Sequence, residues 1–118
     1  MEKLTTFYFL IFSHLIADFI LQPSSIAKNK FGFNKNMLAH SLIMAVAFLI
    51  PLFNYLLAKT LTGGIIIFIT HIFIDNLKVG LGKILKLSPE KHLYWAAIGI
   101  DQILHLTVIY LNFILLIN

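Results

Sequence analysis

The sequence predicts an all-α integral membrane protein, in which four transmembrane helices form a bundle made of two similar helical hairpins. Composition is the first observation: 59% of the 118 residues are hydrophobic and 12% are charged, against about 45–50% and 25% in soluble domains. The second is a set of four apolar runs, each near or above the roughly 17 residues that cross a bilayer core. The runs cover residues 4–21, 37–57, 61–77 and 93–117 of a single transmembrane domain, residues 1–118.

The first and third runs contain the same polar pattern. Residues 11–18 align with residues 68–75, and each segment ends in a histidine and an aspartate four residues apart. Positions i and i+4 lie on one face of a helix, so the two side chains point the same way. The polar pair and the lack of a small-residue cleavage site argue against a signal peptide in the first run. Because the first and third helices run in the same direction, we expect a parallel repeat of two hairpins.

The connections within the hairpins, residues 22–36 and 78–91, are basic and hold seven of the nine lysines. The positive-inside rule therefore places both connections in the cytoplasm and both termini outside. Pro51 predicts a kink in the second helix, and Gly63 predicts a close helix approach in the third. The Ser-Pro-Glu sequence at residues 88–90 predicts the start of the fourth helix, with a cap, a first-turn proline and an acid.

Net charge and residue usage restrict the ligands and binding partners that the chain can have. The net charge is +4 at pH 7, cysteine is absent and every cationic side chain is a lysine. Disulfides and thiolate ligands are therefore excluded, as is a bidentate arginine clamp within one chain. Since the lysines lie between apolar runs, we expect them to contact membrane lipids with anionic headgroups on the cytoplasmic side, and we expect no nucleic-acid partner.

Seven ionisable side chains lie at similar depths in the predicted helices. Counted from the cytoplasmic helix ends at 1.5 Å per residue, they are roughly 4 to 15 Å deep, all in the same half of the membrane. Ionisable groups within a bilayer usually face the bundle interior and mark a site. We therefore expect them to converge. They are His14, Asp18, His40, His71, Asp75, Asp101 and His105.

A divalent metal ion is the leading interpretation of this set. Histidine nitrogen and carboxylate oxygen suit zinc, manganese or iron, and helical bundles supply such ligands from facing helices. All seven groups are candidate metal ligands, for one ion or two, and some would instead orient a neighbouring ligand. Asp18, Asp75 and Asp101 are the candidate catalytic residues. Gln102 is expected to be a hydrogen-bond partner of these groups rather than a ligand.

Two other interpretations stay open. Chains of aspartate and histidine also relay protons in pumps and transporters, and so small a chain would need a homo-oligomer to form such a pathway. Clustering of the groups at one end weighs against this alternative. The third interpretation is purely structural hydrogen bonding between helices. Such bonds average only about 0.6 kcal/mol in a measured membrane protein. Three pairs at one depth exceed what packing requires, since Asp101 and His105 repeat the four-residue spacing in reverse order.

The polar motifs resemble those of a known family. They are His14-x3-Asp18-x3-Gln22, Ala27-Lys28-x-Lys30, Ala39-His40-Ser41, His71-x2-Ile74-Asp75 and Asp101-Gln102-x2-His105. In this order they resemble the small bacterial membrane proteins grouped as domain-of-unknown-function family 3307, whose pattern often has an aromatic residue where Ile26 stands here. The resemblance implies a multi-pass protein of the bacterial inner (plasma) membrane, and it implies no activity.

A more distant likeness is to the membrane-bound metal-dependent hydrolases, which also place histidine and aspartate on membrane helices. Only the style of the motif is shared, so the inference is one of analogy. It implies that a bound ion would activate water and polarise a lipid or other ester near the cytoplasmic leaflet.

Overall fold

The computed structural model describes residues 2–21, 32 and 34–117, and all regular structure in these residues is helical. The fold-class prediction of an all-α protein is therefore confirmed for this part of the chain. The helices are α1 (Lys3–Phe19), α2 (Lys35–Leu49), α3 (Leu57–Ile84) and α4 (His92–Asn112). A 3₁₀ turn at Ile50–Leu52 follows α2, and a π-helical turn at Phe113–Ile117 follows α4. Most of the first predicted connection, including Gln22, Lys28 and Lys30, lies outside the described residues.

Three of the described helical segments are long and apolar enough to cross a membrane. They are Lys35–Leu52 with 18 residues, Leu57–Ile84 with 28 and His92–Ile117 with 26. Helix α1 has 17 residues. It is one residue shorter than the shortest of these three segments.

Helix α3 continues to Ile84, so the first half of the second predicted connection is helical. It ends where Lys86 adopts a left-handed backbone with φ 52°. There the Leu87 N–H donates to the Gly82 carbonyl at 2.9 Å, and the Lys86 N–H donates to the Lys83 carbonyl at 3.3 Å. These bonds satisfy carbonyls that have no partner within the helix.

Two local predictions are wrong. Helix α4 begins at His92 rather than at residues 88–90, because the Lys91 N–H donates to the Ser88 carbonyl at 2.9 Å and closes a turn there. The Pro89 carbonyl instead accepts from the Trp95 indole at 2.8 Å. Pro51 does not kink a continuous helix: α2 ends at Leu49, and the proline, which has no N–H to donate, lies in the 3₁₀ turn.

The four helices pack around a common interior, each against two neighbours in the order α1, α2, α3, α4 and back to α1. Gly63 brings α3 close to the end of α4, since a Cβ there would lie 2.8 Å from Asn112 Oδ1. The Asn112 amide uses this approach to donate to the Gly63 carbonyl at 2.9 Å. The close approach predicted for Gly63 is confirmed.

The interior has levels set by the four-residue spacing on each helix. On each helix, a buried apolar side chain lies four residues from the interior histidine, on the side away from the aspartates. These side chains are Leu10, Met44, Ile67 and Ile109. The next level is also buried, with Phe48 and Phe113 in the same core. The helices therefore divide the interior into a polar half and an apolar half.

Candidate metal centre

All seven predicted side chains are buried and lie together in the polar half of the interior. None is more than 6% exposed, and Asp75 and His40 are fully buried. Helix α1 supplies His14 and Asp18, α2 supplies His40, α3 supplies His71 and Asp75, and α4 supplies Asp101 and His105. The structure thus brings together every residue of the set. Their roles as ligands or catalytic groups stay predictions.

Asp75 lies at the middle of the cluster. Its Oδ2 atom is 3.2 Å from His71 Nε2 and 3.4 Å from His40 Nε2. Its Oδ1 atom is 3.2 Å from His105 Nε2. Helices α2, α3 and α4 therefore each direct a histidine at this carboxylate. The His40 and His71 nitrogens face one oxygen, and the His105 nitrogen faces the other.

Two histidines meet directly beside Asp75. The Nε2 atoms of His40 and His71 are 2.8 Å apart. A neutral imidazole has a lone pair on one ring nitrogen and a hydrogen on the other, so both Nε2 atoms can act as ligands if both hydrogens are on Nδ1. The ring of His71 also stacks on that of His105, with centroids 4.1 Å apart.

Helix α1 reaches the cluster mainly through Asp18 and through an amide from α4. Asp18 Oδ1 is 3.2 Å from His40 Nε2. The Gln102 amide donates to Asp18 Oδ2 at 2.7 Å and to Asp101 Oδ2 at 3.0 Å, while its oxygen is 3.1 Å from His14 Nε2. Gln102 is therefore the hydrogen-bond partner that the sequence predicted.

Two overlapping groups have the spacing of metal ligands. In the first, Asp18, His40 and His71 each place one ligand atom within 4.8 Å of the others, and in the second, His71, Asp75 and His105 do the same. His71 is common to both. His14 and Asp101 lie at the edge of these groups, with His14 Nε2 3.9 Å from Asp18 Oδ2 and His105 Nε2 3.3 Å from Asp101 Oδ1.

Sequence reasoning missed Lys78, which it assigned to the cytoplasmic connection. Its ammonium group is 3.3 Å from Asp101 Oδ2 and 3.8 Å from Asp75 Oδ1, and its side chain is 26% exposed. The signal was the spacing: Lys78 follows Asp75 by three residues, which places both on one helix face if the helix continues. Because the predicted span ends at residue 77, the prediction does not place Lys78 on the same helix face as Asp75.

A groove between α3 and α4 reaches the edge of the cluster from the side of the molecule. It has a volume of about 120 Å³, and Lys78 and Asp101 lie along it. Its other lining residues are apolar: Ile74, Leu77, Leu81, Ala97, Ile100 and Leu104. The groove therefore meets the polar half of the interior at Lys78 and Asp101.

Fold and cluster together define a class of protein, one with membrane-length helices around a buried histidine and aspartate centre. Residues 6–117 match the family described as a protein of unknown function, DUF3307, and the chain belongs to this family. The resemblance found from the motifs is confirmed at the level of the family. No curated protein matches the chain. No solved structure matches it either.

Proposed function

We propose that this chain is a four-span membrane protein that binds a divalent metal ion between His40, His71 and Asp75. The observation that carries the proposal is the triangle formed by His40 Nε2, His71 Nε2 and Asp75 Oδ2, with sides of 2.8, 3.2 and 3.4 Å. In a triangle of this size, one point lies roughly 2.0–2.2 Å from all three atoms, as zinc does from imidazole nitrogen and carboxylate oxygen.

Nitrogen and oxygen donors without sulfur favour zinc, manganese or iron. Asp18 Oδ1 is 3.2 Å from His40 Nε2 and would lie next to an ion held by the triangle. His105 orients Asp75 from the opposite side, and His14 and Asp101 contact the supporting groups rather than the triangle. Such outer contacts fix the orientation of ligands and tune their affinity.

The proposed membrane placement has four spans, with α1 as the first and both termini outside. Supporting it, exposed Lys83, Lys86 and Lys91 flank the ends of α3 and α4 that carry the aspartates. Lysines at that end fit a cytoplasmic surface of anionic headgroups. The family resemblance favours a bacterial inner membrane.

Hydrolysis of a lipid ester is the chemistry that such an ion would serve. An ion held by the triangle would activate water for attack on the ester, and Asp18 beside His40 would accept the proton of that water. The groove between α3 and α4 favours an apolar substrate, because its apolar side chains lead to Lys78 and Asp101 at the edge of the centre. Asp75 would hold the ion, and Asp101 would help to position Lys78.

The alternative functions fit the contacts less well. A proton or ion relay would have to cross the buried level of Leu10, Met44, Ile67 and Ile109, and transport would also need several copies around a pathway. Structural hydrogen bonding alone leaves three buried carboxylates with one ammonium group, that of Lys78, as the cation beside them among the described residues, apart from protonatable histidines. Their desolvation costs more than bonds of about 0.6 kcal/mol return.

The test uses purified protein in phosphatidylglycerol vesicles that contain a fluorogenic acyl ester. We expect ester cleavage that a chelator stops and that added zinc, manganese or iron restores. With the ion saturating, Asp18→Asn should lower turnover by about 100-fold or more, as expected for loss of a general base. Glu90→Gln, at an exposed acid in the turn before α4, is the matched control. Ion or proton flux without product would instead support transport.

A further inference from the structure

Apart from protonatable histidines, the Lys78 ammonium group is the only cation among the described residues that lies against the aspartates of the centre. Its ammonium group lies 3.3 Å from Asp101 Oδ2 and 3.8 Å from Asp75 Oδ1. Both carboxylates are fully buried as side chains, whereas Lys78 is 26% exposed. The lysine side chain therefore extends inward from the groove to two carboxylates that are not themselves exposed to solvent.

One of the oxygens beside Lys78, Asp75 Oδ1, also belongs to a second set of ligand atoms around His105, to which Asp101 contributes its other oxygen, Oδ1. Asp75 Oδ1 and Asp101 Oδ1 lie 3.2 and 3.3 Å from His105 Nε2. These separations resemble those in the triangle of His40, His71 and Asp75, which uses the other oxygen of Asp75, Oδ2. Carboxylates that bridge two ions in this way are typical of two-metal centres in helical bundles.

The charge of Lys78 opposes a second ion beside His105. Uncompensated charge is costly in a low-dielectric interior, and the Lys78 ammonium already lies beside the Asp75 and Asp101 carboxylates. A divalent ion at His105 would share both carboxylates with this ammonium and would face it at short range.

We propose that the Lys78 ammonium stands in the place of a second metal ion and so keeps this centre to one ion. The inference rests on the proposed function, because it takes the His40, His71 and Asp75 position as the first ion site. A lysine ammonium suits this role because it is a compact point charge with three donors. Removal of the charge should leave His105, Asp75 Oδ1 and Asp101 as a second site for a divalent ion.

The experiment measures the number of zinc or manganese ions bound per chain by equilibrium dialysis of the full chain in detergent. Wild type should bind about one ion, and Lys78→Met, which keeps an unbranched side chain without charge, should bind about two. Lys78→Gln is a second neutral variant in case the methionine protein does not fold. Lys78→Arg keeps the charge and should stay at one ion. Lys83→Met, exposed on the same helix, is the matched control.

The outcomes separate this inference from the proposed function. One ion in both wild type and the neutral variants would overturn the inference and leave the first site standing. Two ions in wild type would overturn it as well. Absence of bound ion in every protein would overturn the proposed function and the inference together. A second ion in the neutral variants, but not in Lys78→Arg, would support both.

Discussion

The histidine and aspartate pair occurs once in α1 and once in α3, and the two copies have different surroundings. In α3, His71 Nε2 lies 3.2 Å from Asp75 Oδ2, and His40 and His105 reach the same carboxylate. In α1, His14 Nε2 lies 3.9 Å from Asp18 Oδ2 and is bonded to Gln102 instead. The same sequence pattern therefore forms the centre of the cluster in one helix, whereas in the other helix Asp18 reaches the cluster through His40 and His14 lies at its edge.

The difference comes from the neighbouring helices rather than from the motif. Spacing of four residues fixes only the helix face that the pair shares. His105 from α4 points at Asp75, and His40 from α2 lies between the two carboxylates, 3.4 Å from Asp75 Oδ2 and 3.2 Å from Asp18 Oδ1. The Gln102 amide of α4 bonds the other oxygen of Asp18. In our proposal, the α3 copy holds the ion and the α1 copy completes and orients the site.

The largest effect that separates the copies is expected from the two histidines. His71→Ala removes a ligand atom from the triangle, so ion affinity should fall by more than about 100-fold. His14→Ala removes only an outer contact and should lower affinity by about 10-fold. Competition for zinc with a chromophoric chelator measures both. Equal losses in the two variants would mean that the copies share one role.

A smaller effect is expected at the amide that links α1 to α4. Gln102→Leu removes the hydrogen bonds to Asp18, Asp101 and His14, so ion affinity should fall by about 10-fold or less while one ion is still bound. The same chelator competition checks it. A loss as large as that of His71→Ala would show that Gln102 is itself a ligand.

The smallest effect on the ion is expected one turn away, in the apolar level. Leu10 precedes His14 and Ile67 precedes His71 by four residues, and both are buried. Leu10→Ala and Ile67→Ala should each lower the free energy of unfolding by roughly 2–5 kcal/mol and leave ion affinity unchanged. Denaturation in detergent and chelator competition measure the two quantities. A selective loss of ion affinity in Ile67→Ala would extend the difference between the copies into the apolar core.

Sequence reasoning located the cluster because interior positions repeat along a helix. A four-residue spacing groups three pairs of side chains, and the common depth of the predicted helices adds His40. The pairs are His14 with Asp18, His71 with Asp75, and Asp101 with His105. The same reasoning could not rank Asp18 against Asp75. Which carboxylate receives several histidines depends on the rotation and approach of neighbouring helices, which periodicity does not specify.

The errors lie at helix ends, where composition and hydrogen bonding compete. Lys78 marks the end of an apolar run, yet α3 continues through it to Ile84, and the lysine side chain has carboxylate partners in the interior. Ser88 had the residue type of a helix cap, but its carbonyl closes a turn with Lys91 instead. Each outcome depends on a contact that becomes visible only when the helices are packed.

Elemental analysis of the purified wild-type protein beside Asp75→Asn tests the central claim most directly. Asparagine keeps the shape of the side chain but removes the charge that faces His40, His71 and His105. After ions are added and loose ions are washed away, we expect near-stoichiometric zinc, manganese or iron in wild type and in Glu90→Gln. The metal content of Asp75→Asn should fall close to zero. Equal metal in wild type and Asp75→Asn, or none in wild type, would contradict an ion site at Asp75.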